Sequence, residues 1–452
     1  MALFTPENLQ RAALFTDLYE LVMAQAYDAE GMEQIAAFEL FFREMPSNRN
    51  YVVCAGLDDV LDYLENWRFT DDDVAYLKQL PNFTEAFFDR LKRLRFTGDV
   101  YAIPEGTVVF ANEPLIRVEA PILEAQILET LILNQIHFQT VAATKTARVV
   151  MSAAGRMVVD FGSRRAHGLD AAVKVGRVSY LAGAAGTSNV LAGKVYGVPV
   201  FGTMAHSYIQ AHEDELETLE QFSRMYPKTT VLVDTYDTVS GVEKVIQMAR
   251  RMGGGFQVGA IRLDSGDLTA LSKEARQRLD RAGLEKVKIF LSGGLDEYKI
   301  EDLIRQGTPV DGFGVGTRLA VSPDMTDLDV VYKLVEFDSK PRTKLSSHKT
   351  VYPGRKQVFR RIENGVMVGD IIARSDETVD GTPLLHSVMK GGQRVEAGMI
   401  SLEESRRYAK EEMTRLPDYL RGLDIASEPY PVLTSERLEQ DFLLLKNSLR
   451  AG

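Results

Sequence analysis

At 452 residues the chain is long enough to bury a large core and to form more than one domain, and 45% hydrophobic with 26% charged residues is an ordinary soluble, globular balance. A net charge of −11 excludes nonspecific binding to nucleic acid, which needs a basic face, while leaving room for a locally basic pocket. The single cysteine, Cys54, cannot close an internal disulfide, and no Cys/His group has zinc-ligand spacing. The opening MALFTPENLQRAALFTDLYE lacks a basic segment followed by an apolar run, so no signal peptide and a cytoplasmic location are expected.

In TDLYELVMAQAYDAEGM the apolar residues recur at helical spacing, with Thr16 as the expected N-cap and Gly31 as the stop. AAFELFFREMP reads as a strand, and Gly56 to Arg95 as short helices with charged faces. From about Asp99, GDVYAIPEGTVVFANEPLIRVEAP gives brief strands between Pro and Gly turns. Pro121 then opens a long helix to about Ala147. Its apolar part is interrupted by Glu124, Gln126, Glu129, Asn134, Gln135 and His137, which makes it a core helix and not a membrane span.

After Gly155 the runs MVVDFG, VPVFG, TVLVDTY, GAIRLD, VKIFLSGG and DGFGVGT are short and almost wholly apolar, and most lead into an amphipathic helix. That alternation predicts a parallel sheet covered on both faces. A closed or nearly closed βα barrel is the leading arrangement, with a doubly wound open sheet as the alternative. Beyond about Lys344 the alternation stops. KQVFRRIENGVMVGDIIAR reads as a hairpin across Glu363-Asn364-Gly365, expected to rejoin the β patch near residue 100, and charged helices follow it.

Barrel active sites are assembled at the C-terminal ends of the strands. Here those ends carry Ser163, Arg164 and Arg165; Thr203 and His206; Asp234, Thr235 and Asp237; Arg262, Asp264, Ser265 and Asp267; Ser292, Gly293 and Gly294; and Gly314, Gly316 and Thr317. Gly293-Gly294 is a glycine turn between a strand and a helix start, where backbone N–H groups suit a phosphate, and Gly314 to Thr317 repeats the device. Either pair alone is equally a tight turn; together they favour phosphate. Arg262 lies inside an apolar run, so its planar fork is expected to meet a carboxylate or phosphate, whereas Arg164 and Arg165 are either anion contacts or solvated ion pairs.

The acids Asp234, Asp237, Asp264 and Asp267 are suited to magnesium, to ribose hydroxyls or to helix capping, with capping favoured for Asp267 and Ser265. His206 is either a general base or a turn histidine bonded to a carbonyl. His212 to Glu215 lacks the HExxH spacing and reads as a solvated helix face. Tyr19 and Phe161 would stack on a planar ring or pack in the core. The residues by themselves describe a barrel enzyme acting on a phosphorylated, anionic small molecule.

The segments TDLYELVMAQAY, FELFFREMP, FGSRRAHG, GTSNVLAG, GTMAHSY, VDTYDT, IRLDSGDL, SGGLDEYKI, GFGVGTRL and YKLVE, in this order, resemble nicotinate phosphoribosyltransferases from about Thr16 to Arg360. The resemblance implies ATP-coupled transfer of the phosphoribosyl group of 5-phosphoribosyl 1-pyrophosphate to nicotinate in NAD salvage, with ATP and Mg2+ as cofactors and the metal ligands unassigned. Nicotinamide phosphoribosyltransferase, or another type II phosphoribosyltransferase, is the alternative. It implies a catalytic set of His206, phosphorylated by ATP, and Asp264. Tyr19, Phe161, Thr203 and Arg262 would bind nicotinate, with Arg262 on the carboxylate. Ser163, Arg164, Arg165, Ser292, Gly293, Gly294, Gly316 and Thr317 would bind phosphoribosyl pyrophosphate. The implied fold is α/β: an irregular βα, TIM-like barrel over 126–344 with a smaller α/β sandwich and helices from 1–125 and 345–452. A homodimer with the active site at the interface is implied as well, with no nucleic-acid or membrane partner.

Overall fold

The computed structural model describes residues 13–345 and 351–451, so the reading of the N-terminus as lacking a leader lies partly outside the described residues. The chain forms two compact units, Met1–Thr144 with Met325–Gly452, and Lys145–Asp324. The boundaries therefore fall at 144/145 and 324/325, the first of them within the helix Glu129–Ser152.

The first unit is built on a seven-stranded antiparallel sheet in the order Lys340–Pro341, Val330–Phe337, Ile35–Phe42, Ile116–Pro121, Asp99–Ala102, His386–Lys390, Gln393–Arg394. Ile35–Phe42 is central and buried at every residue but Ile35, which is why its sequence is nearly continuous in apolar residues instead of alternating. Phe38 stacks on Tyr332 of the neighbouring strand at 4.8 Å. The one charge in the strand, Glu39, is fully buried and ion-paired to Lys356 Nζ at 2.7 Å. The stretch Val330–Phe337 belongs to this sheet and not to the barrel unit, because its partner is Ile35–Phe42.

The hairpin forms as expected, Lys356–Glu363 with Val366–Arg374, and its turn places Asn364 and Gly365 at φ of 53° and 81°. It does not rejoin the patch near residue 100. It pairs instead with Thr382–Pro383 and Val432–Thr434 in a separate four-stranded sheet, and His386–Lys390 is the segment that joins Asp99–Ala102. The reason lies in Arg360 on the hairpin. Its guanidinium is buried and bonded to Asp370 on the facing strand at 2.6 Å and to Glu412 of the helix Leu402–Arg415 at 2.8 Å, which ties the hairpin to that helix.

The first helix is Leu18–Ala29 with Asp17, not Thr16, at its N-cap. The Thr16 hydroxyl is diverted to the Glu20 carboxylate and to the Ile127 carbonyl. Pro121 caps Ile122–Ile127, and the helix that resumes at Glu129 runs on to Ser152.

The second unit carries six parallel strands: β1 Met157–Asp160, β2 Gly186–Thr187, β3 Thr230–Leu232, β4 Ala260–Leu263, β5 Lys288–Leu291 and β6 Gly312–Val315. Their order in the sheet is β2-β1-β6-β5-β4-β3, so the last strand pairs with the first. That is the order of a ring cut along one seam, a parallel half-barrel, and it excludes the doubly wound alternative, whose order reverses at a switch point. The open seam lies between Val200, bridged to Thr187, and β3.

VPVFG is thus not the buried strand expected from its composition. Pro199 has no N–H to give to a ladder, only Val200 is bridged, and Val200 stays 48% exposed at the sheet edge. The βα connections are held by caps: Asp237, Asp267 and Asp296 accept from Ser240, Ala270 and Lys299 backbone N–H groups at the starts of the following helices.

Candidate active site

Parallel pairing in register puts the C-terminal ends of neighbouring strands side by side. Leu232 lies opposite Arg262, Leu263 opposite Leu291, Leu291 opposite Phe313, and Val315 opposite Asp160. The residues just past these positions are therefore neighbours in space, as the contacts among them show.

At the tips of β4 and β5, the Ser292 hydroxyl donates to Asp264 Oδ1. The backbone N–H of Asp264 donates to Asp234 Oδ2 at 2.8 Å, and the Ser265 hydroxyl reaches the same oxygen at 3.0 Å. Ser265 is therefore a partner of Asp234 and not a helix cap. Asp234 Oδ1 is buried and has no hydrogen-bond partner. Asp237 and Asp267, by contrast, are occupied as caps.

Gly293 follows with φ of 89°, and Gly294 with 63°. The turn is tight: a Cβ on Gly293 would stand 1.8 Å from the Asp264 carbonyl oxygen. Lys299, in the first turn of the next helix, donates through Nζ to the Gly294 carbonyl at 2.8 Å, which keeps a cation beside the glycine turn.

Arg262 is at the sheet end of β4 with its guanidinium mostly enclosed. Burial lowers its pKa, Asp264 and Asp234 oppose that shift, and the charge of Arg164 adds to it. Nη1 donates to Thr203 Oγ1, while Nε is buried without a partner. One edge of the fork is thus held and the other is open to an acceptor. Thr203 lies on the segment past the open seam, and so does His206, the first residue of helix His206–Gln210. His206 Nδ1 is 3.2 Å from the Thr235 hydroxyl, which follows Asp234 after β3.

On the other side of the sheet order, Asp160 ends β1. It is fully buried; Oδ1 accepts from the Gly162 N–H and Oδ2 from the Thr187 hydroxyl, each at 2.7 Å. Burial raises its pKa and these two hydrogen bonds pull it back. They tie the turn that carries Ser163, Arg164 and Arg165 to β2. Ser163 Oγ is buried and unpartnered, whereas both arginines are exposed.

Phe161 is half-buried against Phe290 at 6.1 Å, and its ring lies over Gly314, where a Cβ would come within 2.4 Å. Gly316 lies close to the Phe161 carbonyl, and Thr317 is exposed at the start of the short helix Thr317–Val321. Tyr19 belongs to the first unit; the residue is 47% exposed, and its hydroxyl pKa is raised by burial and by Glu129.

Thr235, Asp160 and Thr187 are the members of this group that sequence reasoning did not assign a role. An acid inside the apolar run MVVDFG was a usable signal for Asp160. Thr187 had none, because a two-residue strand leaves no periodicity. Among the described residues no group of three or more His, Cys, Asp or Glu is arranged to hold a metal ion, and no helix is long and apolar enough to cross a membrane.

Family models match twice along the chain, the nicotinate phosphoribosyltransferase N-terminal domain over residues 14–137 and the nicotinate phosphoribosyltransferase family over 157–362. The chain is 54% identical over 436 residues to a Mycobacterium tuberculosis protein named nicotinate phosphoribosyltransferase pncB2, covering 96% of this chain and 94% of that one. It is 44% identical over 378 residues to the Bacillus subtilis nicotinate phosphoribosyltransferase, covering 81% and 77%. Among solved structures it resembles human nicotinic acid phosphoribosyltransferase, with a TM-score of 0.84 at 29% identity over 95% of this chain and 99% of that one. It also resembles a Pyrococcus furiosus nicotinate-nucleotide pyrophosphorylase, with a TM-score of 0.74 at 26% identity over 92% and 98%.

Proposed function

The chain belongs to the nicotinate phosphoribosyltransferase family, and from that premise we propose that it transfers the phosphoribosyl group of 5-phosphoribosyl 1-pyrophosphate to nicotinate. The products are nicotinate mononucleotide and pyrophosphate, in the salvage route to NAD. Arg262 carries this reading: a mostly enclosed guanidinium at a strand tip, with one edge on Thr203 and an unpartnered buried Nε, is what a pyridine carboxylate would complete.

The ring nitrogen of nicotinate is already a nucleophile, so the site has to position it and needs no general base. As the bond from ribose C1 to pyrophosphate breaks, positive charge grows on the sugar and negative charge on the leaving group. Asp264, fixed by Ser292, supplies a carboxylate on the sugar side. Arg164, Arg165 and the unpartnered Ser163 hydroxyl meet the pyrophosphate, and the N–H groups of the Gly293-Gly294 and Gly316-Thr317 turns take the 5-phosphate. Phe161, over Gly314, supplies a ring face for the pyridine.

Magnesium is typically held by one or two carboxylates plus substrate phosphates. The unpartnered Asp234 Oδ1 and the neighbouring Asp264 fit that role. Bound there, the ion would neutralise charge on the pyrophosphate.

ATP enters through His206, whose imidazole accepts the γ-phosphoryl group. The new negative charge beside the site favours the form that binds phosphoribosyl pyrophosphate, and hydrolysis of the phosphohistidine relaxes it. The second unit is an irregular TIM-like barrel open along one seam, which its ring-like strand order supports, and the first is the accompanying α/β sandwich. The working form is a homodimer in which Tyr19 of one copy faces the pyridine in the other. Phe15, just before the helix Leu18–Ala29, and Leu18, Tyr19 and Val22 at its start, all at least 39% exposed, give it an apolar contact. The lone thiol of Cys54, buried in the core, suits a reducing cytoplasm.

The test is purified protein with phosphoribosyl pyrophosphate and either nicotinate or nicotinamide, with and without ATP, following mononucleotide formation. Nicotinate is expected to be consumed, faster with ATP. Preference for nicotinamide would sink the assignment of Arg262, and no product with either pyridine would sink the function.

A further inference from the structure

A phosphoryl acceptor must present an unprotonated nitrogen, and a neutral imidazole has one N–H and one lone pair, on different atoms. Which nitrogen holds the proton is set by the partner of the other. At His206 the partner of Nδ1 is the Thr235 hydroxyl, 3.2 Å away. The carboxylate of the preceding residue does not take that place: Asp234 Oδ2 is engaged by the Asp264 N–H and the Ser265 hydroxyl, and its Oδ1 makes no hydrogen bond.

We propose that Thr235 is a positioning residue: its hydroxyl oxygen accepts the Nδ1 proton of His206, which leaves the Nε2 lone pair as the phosphoryl acceptor. The inference rests on the reading of His206 as the residue that ATP phosphorylates. In the transfer step the Nε2 lone pair forms a bond to the γ-phosphorus. The bond from that phosphorus to the oxygen bridging to the β-phosphate breaks, and ADP leaves with the electron pair. The proton stays on Nδ1, bonded to Thr235 throughout, so no base is needed to remove one from the attacking atom.

A threonine suits this task better than a carboxylate would. A hydroxyl is neutral, so it fixes the ring without drawing a second proton onto it, and an imidazolium has no lone pair to offer. The bond also bridges the open seam: His206 lies on the segment beyond Val200, and Thr235 follows β3.

The test compares the full-length wild type with Thr235→Val and Thr235→Ser. Incubation with ATP labelled at the γ-phosphate should give acid-labile, base-stable label at His206 in the wild type and in Thr235→Ser. Uptake in Thr235→Val should fall by about tenfold or more, since a misdirected tautomer is costly to catalysis. Independently, 15N spectra of protein labelled at its six histidines, with His206 identified by its loss in His206→Gln, should show the proton on Nδ1. That signature should persist in Thr235→Ser and disappear in Thr235→Val.

Full labelling of Thr235→Val, a Thr235→Ser variant as poor as Thr235→Val, or a proton on Nε2 in the wild type each overturns the proposal. If the wild type takes up no label while still making mononucleotide, the ATP reading fails instead. The nitrogen spectra then still decide whether Thr235 sets the tautomer.

Discussion

A side chain on Gly293 would run into the carbonyl oxygen of Asp264, with the first carbon only 1.8 Å from it. The turn proposed to hold the sugar phosphate is therefore packed against the backbone of the residue proposed to face the sugar ring. Gly293→Ala would combine this overlap with a φ of 89° that an L-residue rarely adopts. The strand ends must separate to admit it. A misplacement of about 1 Å at a reacting centre costs on the order of a hundredfold. We expect kcat/KM for phosphoribosyl pyrophosphate to fall by that order while circular dichroism stays that of the wild type. An unaffected rate would show that the turn does not touch the substrate.

Arg262→Lys keeps a positive charge but cannot hold Thr203 and a carboxylate with one planar group. A hydrogen bond to a charged group is worth about 1.5–3 kcal/mol, so KM for nicotinate should rise roughly tenfold to a hundredfold. Inhibition by pyridines that lack a carboxylate should change little. Equal weakening of both ligand classes would mean that Arg262 serves the architecture of the site and not the carboxylate.

His206→Asn removes the phosphoryl acceptor and keeps a polar side chain at the start of helix His206–Gln210. Stimulation by ATP should vanish, and ATP should no longer be hydrolysed in step with product formation, while some ATP-independent transfer persists. Continued stimulation by ATP in this variant would overturn the role given to His206.

The first unit offers a pH test unrelated to catalysis. Glu113 is fully buried, and that burial raises its carboxyl pKa well above the ordinary value, with Asp370 adding to the shift and Arg360 opposing it. The folded form therefore keeps a proton that the unfolded chain releases above about pH 4.3. Its contribution to stability is complete below that value and is lost as pH rises toward the folded pKa. Glu113→Gln mimics the protonated acid and still offers an oxygen to the Phe110 N–H. Thermal unfolding between about pH 5 and pH 9 should show a smaller loss of Tm in Glu113→Gln than in the wild type. Parallel curves would mean that Glu113 is ionised in the folded protein.

What could be read from the sequence was what depends on neighbours along the chain. Runs such as VKIFL and GAIRL announced β5 and β4, Asp267 announced itself as a cap, and Asn364-Gly365 fixed a hairpin turn. Ordering residues by strand end also picked out Arg262, Thr203, Asp264, Ser292 and Gly293, which the structure brings into contact or close approach. What escaped depends on partners far away in the sequence. Asp160 is explained by Thr187, and His206 by Thr235, but neither bond leaves a local pattern. VPVFG has the composition of a buried strand, yet Pro199 and its place at the sheet edge reduce it to a single bridged residue. The pairing of His386–Lys390 with Asp99–Ala102 joins residues more than half the chain apart, and turn chemistry at the hairpin gave no hint of it.

The gap in the ring of strands has its own consequence. Thr203 and His206 sit on chain that no ladder grips on its far side, and the side-chain links observed across to the neighbouring strands run from Arg262 to Thr203 and from Thr235 to His206. A carboxylate on the free edge of the Arg262 fork would leave Nη1 on Thr203, and so steady the same stretch that presents the histidine. Occupancy at one end of that stretch would thereby be felt at the other, through a lever only three residues long.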